Sequence, residues 1–72
     1  MTTFTYDVNG TTFEDTEAFG QAWEKAVALA EREHGAITRT VVRGESIRHE
    51  FFTKGGCFLD DRFYNKDKVK VF

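Results

Sequence analysis

The feature that most constrains this chain is the segment from Asp15 to Gly35, DTEAFGQAWEKAVALAEREHG, which has the periodicity of an amphipathic helix. A short oxygen-bearing side chain at Asp15 or Thr16 predicts the N-cap, and Gly35 is suited to the left-handed position that ends many helices. Apolar residues recur at three- and four-residue intervals, which predicts one buried helix face. That face consists of Phe19, Ala22, Trp23, Ala26, Leu29 and Ala30.

The segment before the helix predicts a β-hairpin. Asn9-Gly10 is a strong signal for a two-residue turn, because both of its residues tolerate positive φ. This turn sets Tyr6 opposite Phe13 and therefore gathers the apolar residues of both strands on one side of the sheet. Because the helix follows directly, we expect it to fold back over this apolar face.

A second hairpin is predicted after the helix. Ile37–Arg43 and Ser46–Phe52 are rich in β-branched and aromatic residues, which favour strands. A two-residue loop at Gly44-Glu45 would set Arg39 opposite Glu50, giving one mixed apolar face and one basic face. A four-residue loop, which would change this register, remains an alternative.

The C-terminal part predicts shorter elements. Cys57–Leu59 reads as a short apolar strand, Asp60-Asp61 as a turn or bulge, and Arg62–Tyr64 as a strand or a single helical turn. Val69–Phe72 predicts a closing strand, and the arrangement after Gly56 stays open. The whole chain, 1–72, is expected to form one α+β domain with an amphipathic helix packed on a mostly antiparallel sheet, in the order β-β-α-β-β-β(-β).

Aromatic residues are expected to supply most of the core. Eight Phe, two Tyr and one Trp are many for 72 residues, and a small domain needs such large side chains to bury enough surface. The single cysteine cannot form an internal disulfide, which favours a cytoplasmic protein. No apolar run has the length of a membrane span, and the N-terminus is unlike a signal peptide, so no membrane partner is expected.

No residue pattern predicts catalysis, a cofactor or a metal site. Cys57, His34 and His49 are the residues that such chemistry would use, but their spacing matches no zinc motif. A small thiol in a short apolar strand is commonly buried and inert. Gly55-Gly56 leads into a strand, whereas a phosphate-binding loop would lead into a helix. We therefore expect a protein that is not an enzyme.

Charge is unevenly distributed along the chain. Residues 1–35 hold seven acidic residues against two Lys/Arg, and residues 36–72 hold five against eight. Glu17, Glu24 and Glu31 recur every seven residues and would align roughly 10 Å apart on a helix. None has a Lys or Arg three or four residues later. This row is either a solvated face or a set of carboxylates offered to a basic partner.

Two binding surfaces follow from this distribution. The first is acidic and comprises Glu14, Asp15, Glu17, Glu24 and Glu31. The second is a basic face for nucleic acid, with nearby aromatic side chains for stacking on bases, and comprises Arg39, Arg43, Arg48, Lys54 and Arg62. The net charge of −2 and the expected Arg39–Glu50 cross-strand pair weigh against the basic face.

In its size, in the acidity of one face and in its lack of a catalytic motif, the chain resembles the small, disulfide-free inhibitors encoded by phages, anti-CRISPR proteins among them. That resemblance implies a DNA mimic that occupies a basic nucleic-acid-binding surface of its target. It rests on no shared motif, so no residue role is carried over. We expect a non-enzymatic protein-interaction module of this kind, with a small nucleic-acid-binding protein as the alternative.

Overall fold

Five strands and one helix follow one another in the predicted order in a computed structural model, which describes residues 2–64. They are β1 (Thr2–Val8), β2 (Thr11–Asp15), α1 (Gln21–Glu33), β3 (Ile37–Arg43), β4 (Ser46–Phe52) and β5 (Phe58–Tyr64). The strands form one antiparallel sheet in the order β2-β1-β3-β4-β5, with α1 packed on one side. The α+β prediction is confirmed, while the closing strand predicted at Val69–Phe72 lies outside the described residues.

Both predicted hairpin registers are confirmed. In the first hairpin Tyr6 pairs with Phe13, and the turn residues Asn9 and Gly10 have φ of 52° and 89°. In the second hairpin the two-residue loop holds, so that the four-residue alternative is excluded and Arg39 pairs with Glu50. Pairing of β1 with β3 then joins the two hairpins into one sheet and places β3 at its centre.

The C-terminal part is more regular than predicted. Asp60-Asp61 is not a turn, because both residues lie inside β5 and pair with β4. The irregularity in the pairing of β4 with β5 lies one residue before Asp60. Phe51 pairs with Asp60 and Phe52 with Phe58, so Leu59 is an additional residue that forms a β-bulge. The prediction of a strand at Cys57 is also wrong, since this residue is exposed and lies in the loop before β5.

The helix begins later than predicted, at Gln21. Asp15 still belongs to β2, where it pairs with Phe4, so the chain cannot turn into a helix at that point. Residues 16–20 form bends and turns, and Phe19 is 67% exposed instead of lying on the buried helix face. At the other end the left-handed residue is His34, with φ of 55°, and not Gly35.

The hydrophobic core lies between α1 and the face of the sheet that strands β1 to β3 present to the helix. Small residues on the helix let it approach the sheet closely, and large residues on the strands fill the remaining space. The buried cluster comprises Tyr6, Val8, Ala22, Ala26, Leu29, Ala30, Ile37 and Phe52. Burial at Ile37 and Val41 shows that the odd-numbered residues of β3 face the helix. Arg39 therefore points into the core as well.

The core contains a buried ion pair. Arg39 and Glu50 are 6% and 7% exposed, and the Arg39 Nη2 to Glu50 Oε1 distance is 2.6 Å. Arg39 Nη1 also donates to the carbonyl oxygen of Ala18 at 2.9 Å. The guanidinium carbon lies 5.1–5.9 Å from the centroids of five aromatic rings, which is cation–π distance. These rings belong to Phe4, Tyr6, Phe19, Trp23 and Phe52.

The surroundings of Arg39 keep it charged. Burial alone would lower the pKa of Arg39, but hydrogen bonds to Glu50 and Tyr6 and the attraction of the Glu50 carboxylate more than offset burial and raise it. Burial also raises the pKa of Tyr6, and the neighbouring guanidinium opposes this rise. The Tyr6 hydroxyl donates to the same carbonyl oxygen of Ala18. The Ala18 carbonyl, in the segment before α1, thus accepts hydrogen bonds from two core side chains, Arg39 and Tyr6.

We expect the Arg39–Glu50 pair to show strong coupling. Glu50→Ala leaves a buried guanidinium without its counter-ion and should lower the free energy of unfolding by about 3–5 kcal/mol. Glu50→Gln, which keeps an acceptor, should cost less. The double variant Arg39→Met/Glu50→Leu should be less destabilised than Glu50→Ala, because the fully buried cation is removed together with its counter-ion. Arg48, whose Nε lies 3.2 Å from Glu50 Oε2, loses that ion pair in both variants. Urea unfolding of the double variant and of its single variants Arg39→Met and Glu50→Leu measures this coupling, and additive single effects would contradict it.

Candidate protein-interaction surface

The exposed side of α1 separates charges of opposite sign. At 3.6 residues per turn, Glu24 and Glu31 lie along one side of the helix, and Lys25 and Arg32 lie along the neighbouring side. The basic pair borders a cavity of about 380 Å³ between the helix and β2, whose floor includes Phe13. The glutamates lie on the side of the helix away from that cavity. The seven-residue spacing predicted from the sequence therefore holds for Glu24 and Glu31.

Glu17 lies outside the helix but close to its first turn. A Cβ atom on Gly20 would be 3.0 Å from Glu17 Oε2, so this carboxylate lies against the N-cap residue of α1. One turn further on, the Glu24 amide donates to the Gly20 carbonyl oxygen at 3.2 Å. We define the acidic face as Glu17, Glu24 and Glu31. All three residues are exposed, and none forms an ion pair within residues 2–64.

Two residues of the predicted acidic surface do not join this face. Asp15 accepts hydrogen bonds from the amides of Thr16, Glu17 and Ala22, at 2.7, 3.2 and 3.3 Å. These amides, the Ala22 amide foremost, lower the pKa of Asp15. Its role is to cap the start of α1 from the end of β2. Glu14 pairs with Thr5 and points away from the helix, so it lies on the opposite side of the sheet.

The five residues of the predicted basic face do not share one surface. Arg39 is buried in the core, which removes the central member of that face. Arg43 and Arg48 line a cavity of about 200 Å³ on the helix side of the sheet. Arg62 pairs with His49 on the opposite side. Lys54 lies in the loop after β4, with Nζ 3.3 Å from His34 Nδ1. The alternation of β3 residues had predicted Arg39 correctly as a partner of Glu50, but on an exposed surface.

An apolar surface near the acidic face was not predicted. Phe19, Phe58 and Leu59 are 67%, 56% and 60% exposed. Trp23 lies 5.3 Å from Phe19 and 5.0 Å from Phe52 between ring centroids, and a further contact of 5.8 Å joins Phe52 to Phe58. A connected run of aromatic rings thus leads from the acidic face to β5. The number of Phe residues had predicted an aromatic core, whereas Phe19 is exposed because the helix begins only at Gln21.

The candidate catalytic residues are not brought together. His34 contacts Lys54, and His49 Nδ1 lies 3.0 Å from Thr40 Oγ1. Cys57 is held through its amide, which donates to Thr53 Oγ1 at 3.1 Å, and its thiol has no hydrogen bond in the described part of the chain. No group of three or more His, Cys, Asp or Glu among residues 2–64 could hold a metal ion. His34, His49 and Cys57 therefore form no nucleophile–base pair with one another in the described structure.

The chain has no match among protein families, curated proteins or solved structures. None of the helical segments within residues 2–64 combines the length and apolar character that a membrane crossing requires.

We expect the capping contribution of Asp15 to depend on pH. Its pKa in the folded protein lies below the ordinary value of 3.8, so its ionised form stabilises the fold above that pH. This contribution should shrink as the pH falls towards the lowered pKa and below it. Asp15→Ala should therefore destabilise the protein at pH 7 and have less effect in strong acid.

Urea unfolding of both proteins between pH 7 and pH 2 measures this difference, and an NMR titration of the Asp15 carboxyl gives its pKa directly. The capping role would be wrong if Asp15 titrated at or above 3.8, or if Asp15→Ala cost the same at both ends of the pH range.

Proposed function

We propose that the protein is a non-enzymatic protein-interaction module whose acidic face binds a basic surface of a partner protein. One observation carries this proposal. Glu24 and Glu31 are exposed along one side of α1, Glu17 is exposed just before its first turn, and none of the three forms an ion pair inside the described part of the chain. Lys25 and Arg32 lie on the same helix yet leave these carboxylates available.

Electrostatic complementarity is the physical basis of the proposal. A row of like charges raises the energy of the free protein slightly and is relieved when a surface rich in Lys and Arg binds. Such a row mainly accelerates association and selects partners of opposite charge. Basic surfaces with repeated cationic groups are typical of proteins that bind the phosphate backbone of nucleic acids. A partner of that kind would make this chain a phage-type inhibitor of the anti-CRISPR kind.

Phe19 supports the same surface as a binding site. Charged rim contacts contribute little lasting affinity, whereas exposed aromatic residues commonly anchor protein interfaces. Phe19 lies two residues after Glu17 and rests on the buried Arg39 guanidinium, 5.1 Å from its carbon. Its ring is therefore held in place before a partner arrives. An anchored aromatic ring beside free carboxylates suits a partner that presents apolar groups flanked by cations.

Direct binding of nucleic acid is the alternative, and the burial of Arg39 counts against it. A filter-binding titration at low salt with DNA and with RNA separates the two functions. The alternative predicts measurable affinity that falls steeply as salt is added, because phosphate contacts release counter-ions. The proposed module should retain neither nucleic acid on the filter.

We expect single charge reversals to distinguish a specific role of the acidic face from a general effect of negative charge on the chain. Glu31→Lys and Glu33→Lys make the same charge change two residues apart on α1, but Glu33 lies on another side and accepts a hydrogen bond from Asn9 at 3.2 Å. Glu31→Lys should slow association with the partner about tenfold at low salt, since each removed attraction becomes a repulsion. Glu33→Lys should change it far less.

The partner is found by capturing proteins from a lysate of the host on the immobilised chain and releasing them with competing DNA or RNA. Association rates are then measured by surface plasmon resonance. The triple reversal Glu17→Lys/Glu24→Lys/Glu31→Lys should abolish capture. Capture that survives this triple variant, or that excess nucleic acid does not displace, would rule out the proposed role of the acidic face.

A further inference from the structure

One side of the sheet carries no described element. The helix packs on the side that holds Tyr6, Ile37 and Phe52, and the alternate residues of every strand point the other way. We call this second side the uncovered face. On its three central strands it holds mainly threonine, aliphatic and aromatic residues, among them Thr5, Thr38, Thr40, Val42, Ile47 and Phe51.

The uncovered face has an unusual composition for a surface in contact with water. Antiparallel sheets that face solvent usually alternate apolar residues with polar and charged ones. On the three central strands here, Asp7 is the single carboxylate or Lys/Arg that points to this side. Most of these side chains are only partly exposed, because β-branched neighbours shield one another. Such a face is suited to pack against a second sheet, at a separation of about 10 Å.

Across the middle of this face, one residue from each strand forms a row, and the charged residues of that row lie at its two ends. The pairing order across that row is Glu14, Thr5, Thr40, His49 and Arg62. Its single acid is on β2, its single permanent cation is on β5, and both lie two strands from β3. The two charged residues, Glu14 and Arg62, are thus equally far from the central strand β3 and carry opposite charges.

This pattern selects one way of pairing two sheets. A twofold axis parallel to β3 places each β2 over the β5 of the other copy, so that Glu14 meets Arg62 twice at the rim. The same operation stacks β3 on β3 and brings Val42 against its own copy. A twofold axis across the strands would instead oppose Glu14 to Glu14 and Arg62 to Arg62. An isologous interface needs such self-complementarity.

We propose that the uncovered face binds a second copy of this chain, sheet against sheet, about a twofold axis parallel to β3. Five strands spaced by about 4.8 Å, with about six residues each at roughly 3.3 Å, give a face of roughly 24 by 20 Å per copy. The two copies together approach the lower end of stable interfaces, about 1,200 Å². The dimer turns both helices outward and leaves both acidic faces accessible, so it does not depend on the proposed function.

Sedimentation velocity of the full chain between about 1 and 500 µM tests the dimer, which the modest area predicts to form with micromolar affinity. Val42→Lys should give a monomer at every concentration, because two ammonium groups would be buried against each other. Val42 is already 37% exposed, so its replacement should leave the fold intact. The matched control, Ala28→Lys on the outer side of α1, should still dimerise.

A charge exchange tests the axis itself. Glu14→Arg alone and Arg62→Glu alone should each weaken the dimer about tenfold, because each occurs at two symmetric contacts. The double variant Glu14→Arg/Arg62→Glu should recover part of the lost affinity, since the exchange also removes the ion pair of Arg62 with Asp60 at 3.9 Å. Failure of the double variant to recover would overturn the axis parallel to β3.

A chain that stays monomeric up to 500 µM would overturn the proposal as a whole. A dimer that persists in Val42→Lys but not in Ala28→Lys would place the interface on the helix side and would equally overturn it. Neither result would bear on the acidic face, which is measured by association with a partner.

Discussion

The buried guanidinium of Arg39 is the constraint on which the rest of this structure depends. It lies among five aromatic rings, binds the carboxylate of Glu50 on the neighbouring strand, and donates to the carbonyl oxygen of Ala18 in the segment before the helix. A charge is expensive to bury unless its hydrogen bonds and counter-ion are provided. The core is therefore arranged around one cation, and three separate parts of the chain must be in place to satisfy it.

This arrangement explains why the helix starts where it does. Residues 16–20 must pass over Arg39 so that Ala18 can accept its hydrogen bond and Phe19 can cover its guanidinium. The chain can begin α1 only after that crossing, and Asp15 reaches forward to cap the Ala22 amide. The same crossing leaves Phe19 exposed on its outer side and brings Glu17 to the first turn of the helix. The proposed binding surface is thus a consequence of how the core ion pair is covered.

Much of the fold could be predicted from local signals. The Asn9-Gly10 turn and the alternation of the flanking strands determine the register of the first hairpin, because a shift by one residue would reverse every side chain. For the second hairpin the sequence left a two-residue and a four-residue loop open. Helical periodicity located Ala22, Ala26 and Ala30 on the buried face of α1, and the seven-residue spacing located Glu24 and Glu31 on its exposed side. The position of Glu14 away from the helix also follows from alternation in β2, although it was grouped with the acidic surface.

The remaining features depend on contacts between distant residues. Capping residues and apolar periodicity predicted that the helix would include DTEAFG, but pairing of Asp15 with Phe4 and the hydrogen bonds to Ala18 outweigh these local signals. Alternation showed that Arg39 and Glu50 share a side of the sheet, yet both sides of β3 mix apolar and polar residues. The side covered by the helix was therefore not determined by the pattern. The continuous β5 depends on its pairing with β4 across a bulge, which outweighs the turn preference of Asp60-Asp61.

The most direct test of the central role of Arg39 is an NMR measurement of its guanidinium protons in the intact chain. Five surrounding rings and the bonds to Glu50 and Ala18 predict an Arg39 Hε resonance that is shifted by ring currents and exchanges slowly with water, with hindered rotation about Nε–Cζ. A resonance at the position of a solvent-exposed arginine, exchanging rapidly and with free rotation, would contradict a core built around this cation.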